Sequence, residues 1–341
     1  MNRIFLLGLS AIFMFSCTQT PKTETATISD KQITKTNDLL SSEVVVKDYI
    51  NLASNDNPDW IKSAVDNKVI KTILDIAIEG KVIVNTVDDG DTIPMTVGEI
   101  NSNLGMFQDT MQMEISEDTY IDTVITTPAK PEEVEGIFFK ENWKFDATSF
   151  SFTKQIHEYL PVREYYKQLS NGIIDTTTKV KKLVFKVIND NNSKNFEKIA
   201  SDVTTAFYFN AELPNFINGL DITRFANYLI NYSYKDKKDV YDFYEPNSKL
   251  SYTDAKGLLG ASSDTIQLEV TPGNFKETVL NYDPEPEEII GVIFVEDWYL
   301  DKETLSFKKE VKGLAPIRRF NDIDPEGESF TKTTIPYLIK L

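Results

Sequence analysis

The chain has 341 residues but only one cysteine and one histidine, and each scarcity removes a class of chemistry. A single cysteine, Cys17, rules out an intramolecular disulfide. A single histidine, His157, leaves no partner for a histidine-rich metal site and no second imidazole for proton relay. HExxH, GxSxG, Walker and strand-following GxGxxG motifs are all missing, so no motif points to a metal, nucleotide or other cofactor. Basic residues are outnumbered, 36 Lys and Arg against 53 Asp and Glu, for a net charge of −17. Phosphate backbones would be repelled, which excludes nucleic acid as a partner. The longest apolar run, Ile4 to Phe15, is too short to span a bilayer as a permanent helix.

That run instead fits an export signal. Arg3 supplies the positive end, and Ser16 is the small residue before Cys17. Residues 1–17 are predicted to be a lipoprotein signal peptide ending at a lipidated Cys17. Residues 18–45, rich in Thr, Lys, Ser and Asp in their first half, are predicted to be a flexible tether. The expected location is an outer-membrane lipoprotein facing the periplasm or the cell surface, held to the membrane by that lipid only.

With 41% hydrophobic and 11% aromatic residues, the remainder can bury a substantial core. It contains a duplication. Glu141, Trp143, Asp146, Ser151, Pro161 and Arg163 recur 155 positions later as Glu296, Trp298, Asp301, Ser306, Pro316 and Arg318. The match extends upstream, where Phe225, Tyr228 and Leu229 follow Ile70, Ile73 and Leu74, and downstream to Leu183 and Leu338. A period this long is a tandem pair rather than a solenoid. The expected repeats are 46–190 and 191–341, with the Asn-rich stretch 189–194 as the break.

Within each repeat the pattern reads as helix, short strand, helix and then antiparallel strands. A first helix is expected over Leu39–Leu52, another over Asp59–Glu79 with Gly80 as its stop, and a third at Thr96–Leu104, where Thr96 and Glu99 form a capping box. The expected class is α+β, two tandem homologous domains of helices plus a mainly antiparallel sheet.

Two readings of the Trp-centred hairpins compete. Trp143 and Trp298 with flanking acids could stack on and bind, or less plausibly cleave, a glycan. Cleavage needs two carboxyls facing one cleft, whereas alternation sends Glu296 and Asp297 to opposite faces, and Asn142 replaces the second acid in the first repeat. The plainer reading makes the tryptophans core anchors, with the acids capping turns or meeting Arg163 and Arg318.

The run Glu296-Asp297-Trp298-Tyr299, with Asp301, Lys302, Ser306, Gly313, Ala315 and Pro316, resembles the GldN/PorN family of gliding-motility and type IX secretion components; Glu141, Trp143, Phe145, Asp146, Ser151 and Pro161 are a sparser copy. The resemblance implies a non-enzymatic envelope protein with a structural role, acting by assembly with cell-envelope proteins or itself. Its framework residues would be Trp143, Asp146, Pro161, Arg163, Trp298, Asp301, Pro316 and Arg318. Members of that family carry one such domain and no lipid of their own; this chain carries two and Cys17.

Overall fold

A computed structural model describes residues 44–52, 68–88, 92–116, 119–169, 173–190, 192–210, 216–324 and 326–341. The first repeat contributes β1 (Val44–Asn51), α1 (Lys68–Ile78), α2 (Val97–Asn103), β2 (Phe107–Ser116), β3 (Thr119–Thr127), β4 (Val134–Asp146), β5 (Ser151–Gln168), β6 (Ile174–Leu183) and β7 (Val187–Ile188). The second contributes β8 (Glu197–Tyr208), β9 (Phe216–Asn218), α3 (Ile222–Tyr234), α4 (Tyr252–Leu258), β10 (Ser262–Thr271), β11 (Asn274–Tyr282), β12 (Ile289–Asp301), β13 (Ser306–Ile323), β14 (Ser329–Thr334) and β15 (Ile339–Lys340).

The α+β expectation of two domains is overturned. Strand makes up 55% and helix 16% of the described residues, and eleven strands from both repeats form one antiparallel sheet. Its main path is β8-β12-β13-β5-β4-β1-β9. Read outward from the centre, β13-β12-β8 mirrors β5-β4-β1. The halves join where Lys309 pairs antiparallel with Lys154, residues equivalent under the 155 offset, so the two repeats are related by a pseudo-twofold axis through that pair. The expected helix over Leu39–Leu52 is a strand from Val44 on, because Val44, Val46 and Ile50 alternate with more exposed neighbours at period two.

The sheet curls strongly. Trp143 on β4 and Phe207 on β8 are four strand positions apart, about 19 Å in a flat sheet, yet their ring centroids are 4.9 Å apart. The concave face therefore closes over shared cores. Ile137, Phe139, Glu141, Trp143 and Phe145 all point inward along β4. The first two join α1 and α2 in one core; Trp143 and Phe145 join α3 and α4 in another. On β12 the assignment reverses: Val292 and Phe294 meet α3 and α4, while Trp298 and Leu300 meet α1 and α2. Each hairpin begins in its own repeat's core and ends in the other's.

Local signals explain the helices. α2 starts at the capping box, with Thr96 Oγ1 accepting from the Glu99 N–H and the Thr96 N–H donating to Glu99 Oε2 at 2.7 Å. α1 ends at Gly80, whose φ of +67° takes the left-handed stop. Near the C-terminus the repeat slips: Lys340 opposes Gly313 as Ile188 opposes Glu158, an offset of 152 rather than 155. Leu338 thus stands where Lys186 does, not Leu183, and β14 is correspondingly shorter than β6.

Because both cores need both repeats, a chain ending at Asp190 is expected to lack a cooperative thermal transition by circular dichroism. A sharp transition from that fragment would show that the first repeat folds alone.

Candidate functional site

The framework residues expected from the sequence take structural positions. Trp143 and Trp298 are 1% and 0% exposed, which leaves no ring face for a glycan. Their indole N–H groups donate to Glu141 Oε2 at 2.8 Å and Glu296 Oε2 at 2.9 Å. Asp146 caps its hairpin turn by accepting from the Thr148 and Ser149 N–H groups, and Asp301 does so from Glu303. Arg163 does not meet Glu141: its Nε donates to Glu133 at 2.7 Å, and Arg318 reaches Glu288 at the same distance. Arg318 Nη1 also donates to the Leu258 carbonyl at 3.1 Å, at the end of α4. A Cβ on Gly105 or Gly260 would lie within 2.5 or 2.1 Å of these guanidinium groups, and both glycines have φ above +90°.

Pro161 and Pro316 sit in long strands where a missing N–H costs little. β5 pairs with β6 up to Val162 and with β7 from Tyr159, so Pro161 faces the gap between them. Pro316 faces the equivalent gap between β14 and β15. His157 and Lys312 are the extra residues of matching β-bulges opposite Lys140/Glu141 and Val295/Glu296. Cys17 lies outside the described residues.

What sequence reasoning missed is a buried charge cluster between the two cores. Lys309 Nζ lies 2.5 Å from Glu141 Oε1 and Lys154 Nζ lies 2.6 Å from Glu296 Oε1, each pair crossing from one repeat to the other with fully buried side chains. Lys154 also stands 3.4 Å over the Phe294 ring and Lys309 3.5 Å over Phe139. Burial opposes ionisation of Glu141, but Lys309, Lys154 and the bonds from Lys309 and Trp143 outweigh it and hold its carboxyl below the ordinary range. Burial likewise opposes charge on Lys154, yet Glu296, Glu141 and Asp48 raise its pKa. The available signal was a lysine at an inward position of each strand, repeated at the same offset.

Asp48 adds a fifth charge that the pseudo-symmetry does not balance: it opposes Phe139 on β4, and the residue opposing the equivalent Phe294 on β12 is the buried Thr205. Desolvation pushes its pKa up to about 6; Lys309 and Lys154 pull it down, and Glu141 and Glu296 push it further up. Chemically, the cluster is a closed set of matched ions with one surplus acid, buried away from solvent.

Two other features are exposed. β2–β3 and β10–β11 are two-stranded arms that pair with no other strand among the described residues. Cross-strand register puts Phe107, Met111, Met113, Ile121 and Ile125 on one face of the first arm, each 44–60% exposed. Ile266, Leu268, Leu280 and Tyr282 share the corresponding face of the second.

A raised acid pKa stabilises the fold at low pH, and that stabilisation is lost as pH rises from about 4 through 6. Asp48→Asn is expected to raise stability at pH 8 by about 2–3 kcal/mol relative to the parent, with the difference vanishing near pH 4. Denaturant melts at the two pH values check this; a constant difference would show that Asp48 does not titrate there. Lys309→Met is expected to cost about 3–5 kcal/mol by stranding Glu141, and adding Glu141→Leu should recover much of it.

A scan against protein-family models and a search of curated proteins both return no match for this chain.

Proposed function

We propose that this chain is a non-enzymatic, lipid-anchored cell-envelope protein that works as a scaffold, assembling with other envelope proteins or with further copies of itself. The observation that carries the reading is the pair of two-stranded arms. An isolated hairpin is marginal in water, and each arm presents an apolar face that no strand among the described residues pairs with or extends. Such elements gain stability when another surface covers the apolar face or another strand extends the ladder.

The chemistry of the interior supports the same reading. Glu141, Glu296, Trp143 and Trp298 are spent on holding the repeats together, so the acid–tryptophan groups that suggested glycan hydrolysis have no open cleft. Resemblance of the hairpin motif to GldN/PorN supports a setting linked to gliding motility or type IX secretion. The doubled repeat and Cys17 favour a relative with its own anchor at the outer membrane, facing the periplasm or the cell surface.

Two measurements test this. Cys17→Ala is expected to move the protein from the membrane to the soluble fraction; retention in the membrane would exclude the lipid anchor. Amine crosslinking of the full chain in intact cells is expected to give higher-mass adducts, which Met111→Ser with Met113→Ser and Ile121→Ser should reduce several-fold without changing thermal stability, because these side chains are exposed. Adducts of unchanged yield would refute the role of the arm, and their complete absence from the parent would refute assembly.

A further inference from the structure

On the convex side of the second repeat, β12 and β13 are flanked by the connection from α3 to α4. Here a groove of about 710 Å³ opens between Phe243, Tyr244 and Asn247 of that connection and Asp202, Asp297, Lys312 and Lys340 of the sheet. Its volume is that of a small-ligand site.

The groove is preformed. Tyr241 and Leu338 exchange two backbone hydrogen bonds of 2.9 and 2.8 Å, and the Asp242 N–H donates to the Ser248 carbonyl at 2.8 Å. Asp242 Oδ1 accepts from the Tyr244 and Glu245 N–H groups at 2.7 and 2.8 Å, an Asx turn that presents Tyr244 outward. The Phe243 ring packs edge-on against Tyr244, centroids 5.4 Å apart, and Phe243 is anchored on the small core of Ile293, Ile317 and Leu338. Tyr244 nonetheless remains 61% exposed. A rigid aromatic ring with a free face is a contact surface already ordered before anything binds.

The polar groups around it are of mixed sign. Asp202 and Asp297 offset Lys312 and Lys340, so the groove favours neither an anion nor a cation. Asp297 is committed to Lys198 at 2.6 Å and to the Asp202 N–H at 3.2 Å. Lys312 is held by Glu310 at 3.0 Å. The Asp202 carboxylate and the Asn247 amide make no hydrogen bond or ion pair with another described residue. Lys340 lies 4.1 Å over the Tyr241 ring, with its ammonium protons free to donate. An exposed ring face beside an unengaged acceptor, an unengaged amide and a donor suits a ligand with an apolar face and a hydroxyl-bearing edge.

The duplicated framework acts as an internal control. At the equivalent positions of the first repeat, set by the matching backbone pairings, Phe243 and Tyr244 are replaced by Val87 and Asp88, Asp297 by Asn142, Lys312 by His157 and Asp202 by Val45. Lys340 corresponds to Ile188 under the shifted register. The buried framework is the same in both repeats while this lining differs throughout, so the groove is not a by-product of the fold.

We infer that this groove is a binding site for an uncharged saccharide, with a pyranose face on Tyr244 and hydroxyls shared among Asp202, Asn247 and Lys340. The arms contribute no residue to it, so it stands independently of the scaffolding role.

The test is binding of the full chain to an array of neutral oligosaccharides, followed by calorimetric titration with the best-retained glycan. Tyr244→Ala is expected to weaken binding at least tenfold and Asn247→Ala several-fold, both with unchanged melting temperature, while Tyr120→Ala on the first arm leaves affinity unaltered. Retention of no neutral glycan, equal affinity of Tyr244→Ala and the parent, or displacement of the glycan by a short apolar peptide would each overturn the assignment.

Discussion

The crossed pairs Lys309–Glu141 and Lys154–Glu296 are the constraint on which the rest of the structure depends. Both are fully buried, and each connects a strand of one repeat to a strand of the other. Withdrawing such ions from water costs several kcal/mol per group, and well-packed apolar replacements are often neutral or better. Their contribution is therefore better sought in specificity. The two cores would be interchangeable if the inner face were uniformly apolar, because Trp143 and Trp298 occupy equivalent environments. A lysine that must find one carboxylate allows a single register of β13 on β5, and one slipped residue would strand two buried charges.

That register is held by very little else. Lys309 and Lys154 form the only paired position between β13 and β5 among the described residues, whereas the hairpins on either side pair along their length. The two bulges serve the same end. Each lets Glu141 or Glu296 point inward beside its tryptophan while the longer strand, with its proline and arginine, continues past the helices. The arginines then tie the far ends of the strands to the turns before β4 and β12 through Glu133 and Glu288, and Arg318 reaches the end of α4 through the Leu258 carbonyl, with Gly105 and Gly260 leaving room for the guanidinium groups. Trp, Asp, Pro and Arg recur in both halves because each meets one of these geometric demands.

Much of this was legible in the chain as written. The 155-residue offset was marked by Trp, Pro and Arg, residues whose chance coincidence is rare, and the α2 cap was explicit in Thr96 and Glu99. The fold class was not, for a physical reason: a repeat announces its own elements but not whether its inner face is covered by itself or by its twin. Leu39–Leu52 read as helix because a short apolar run fits period 3.6 as well as period two, and pairing with β4 decides it. The arms were recognised only in part, since strands exposed on both faces lack the buried alternation that marks a sheet strand. Asp48 and the inward lysines were passed over because charged residues are ordinarily assigned to the surface.

A pseudo-symmetric molecule separates what the fold requires from what it merely permits. Positions equal in both halves, such as Glu141/Glu296, Lys154/Lys309 and Arg163/Arg318, each have a structural partner that accounts for them. Positions where the halves differ carry no such explanation. Asp48 faces a balanced set of four ions in one half, while Thr205 stands at the equivalent ladder position in the other. Asn142 and His157 give way to Asp297 and Lys312 beside Tyr244, without altering the bulge they flank. Duplication doubles the framework and so frees one copy of any surface from duties the other still performs. Chemistry in this protein is accordingly sought where its symmetry is broken, on the outer surface of the second repeat, and not at the tryptophans that make the symmetry visible.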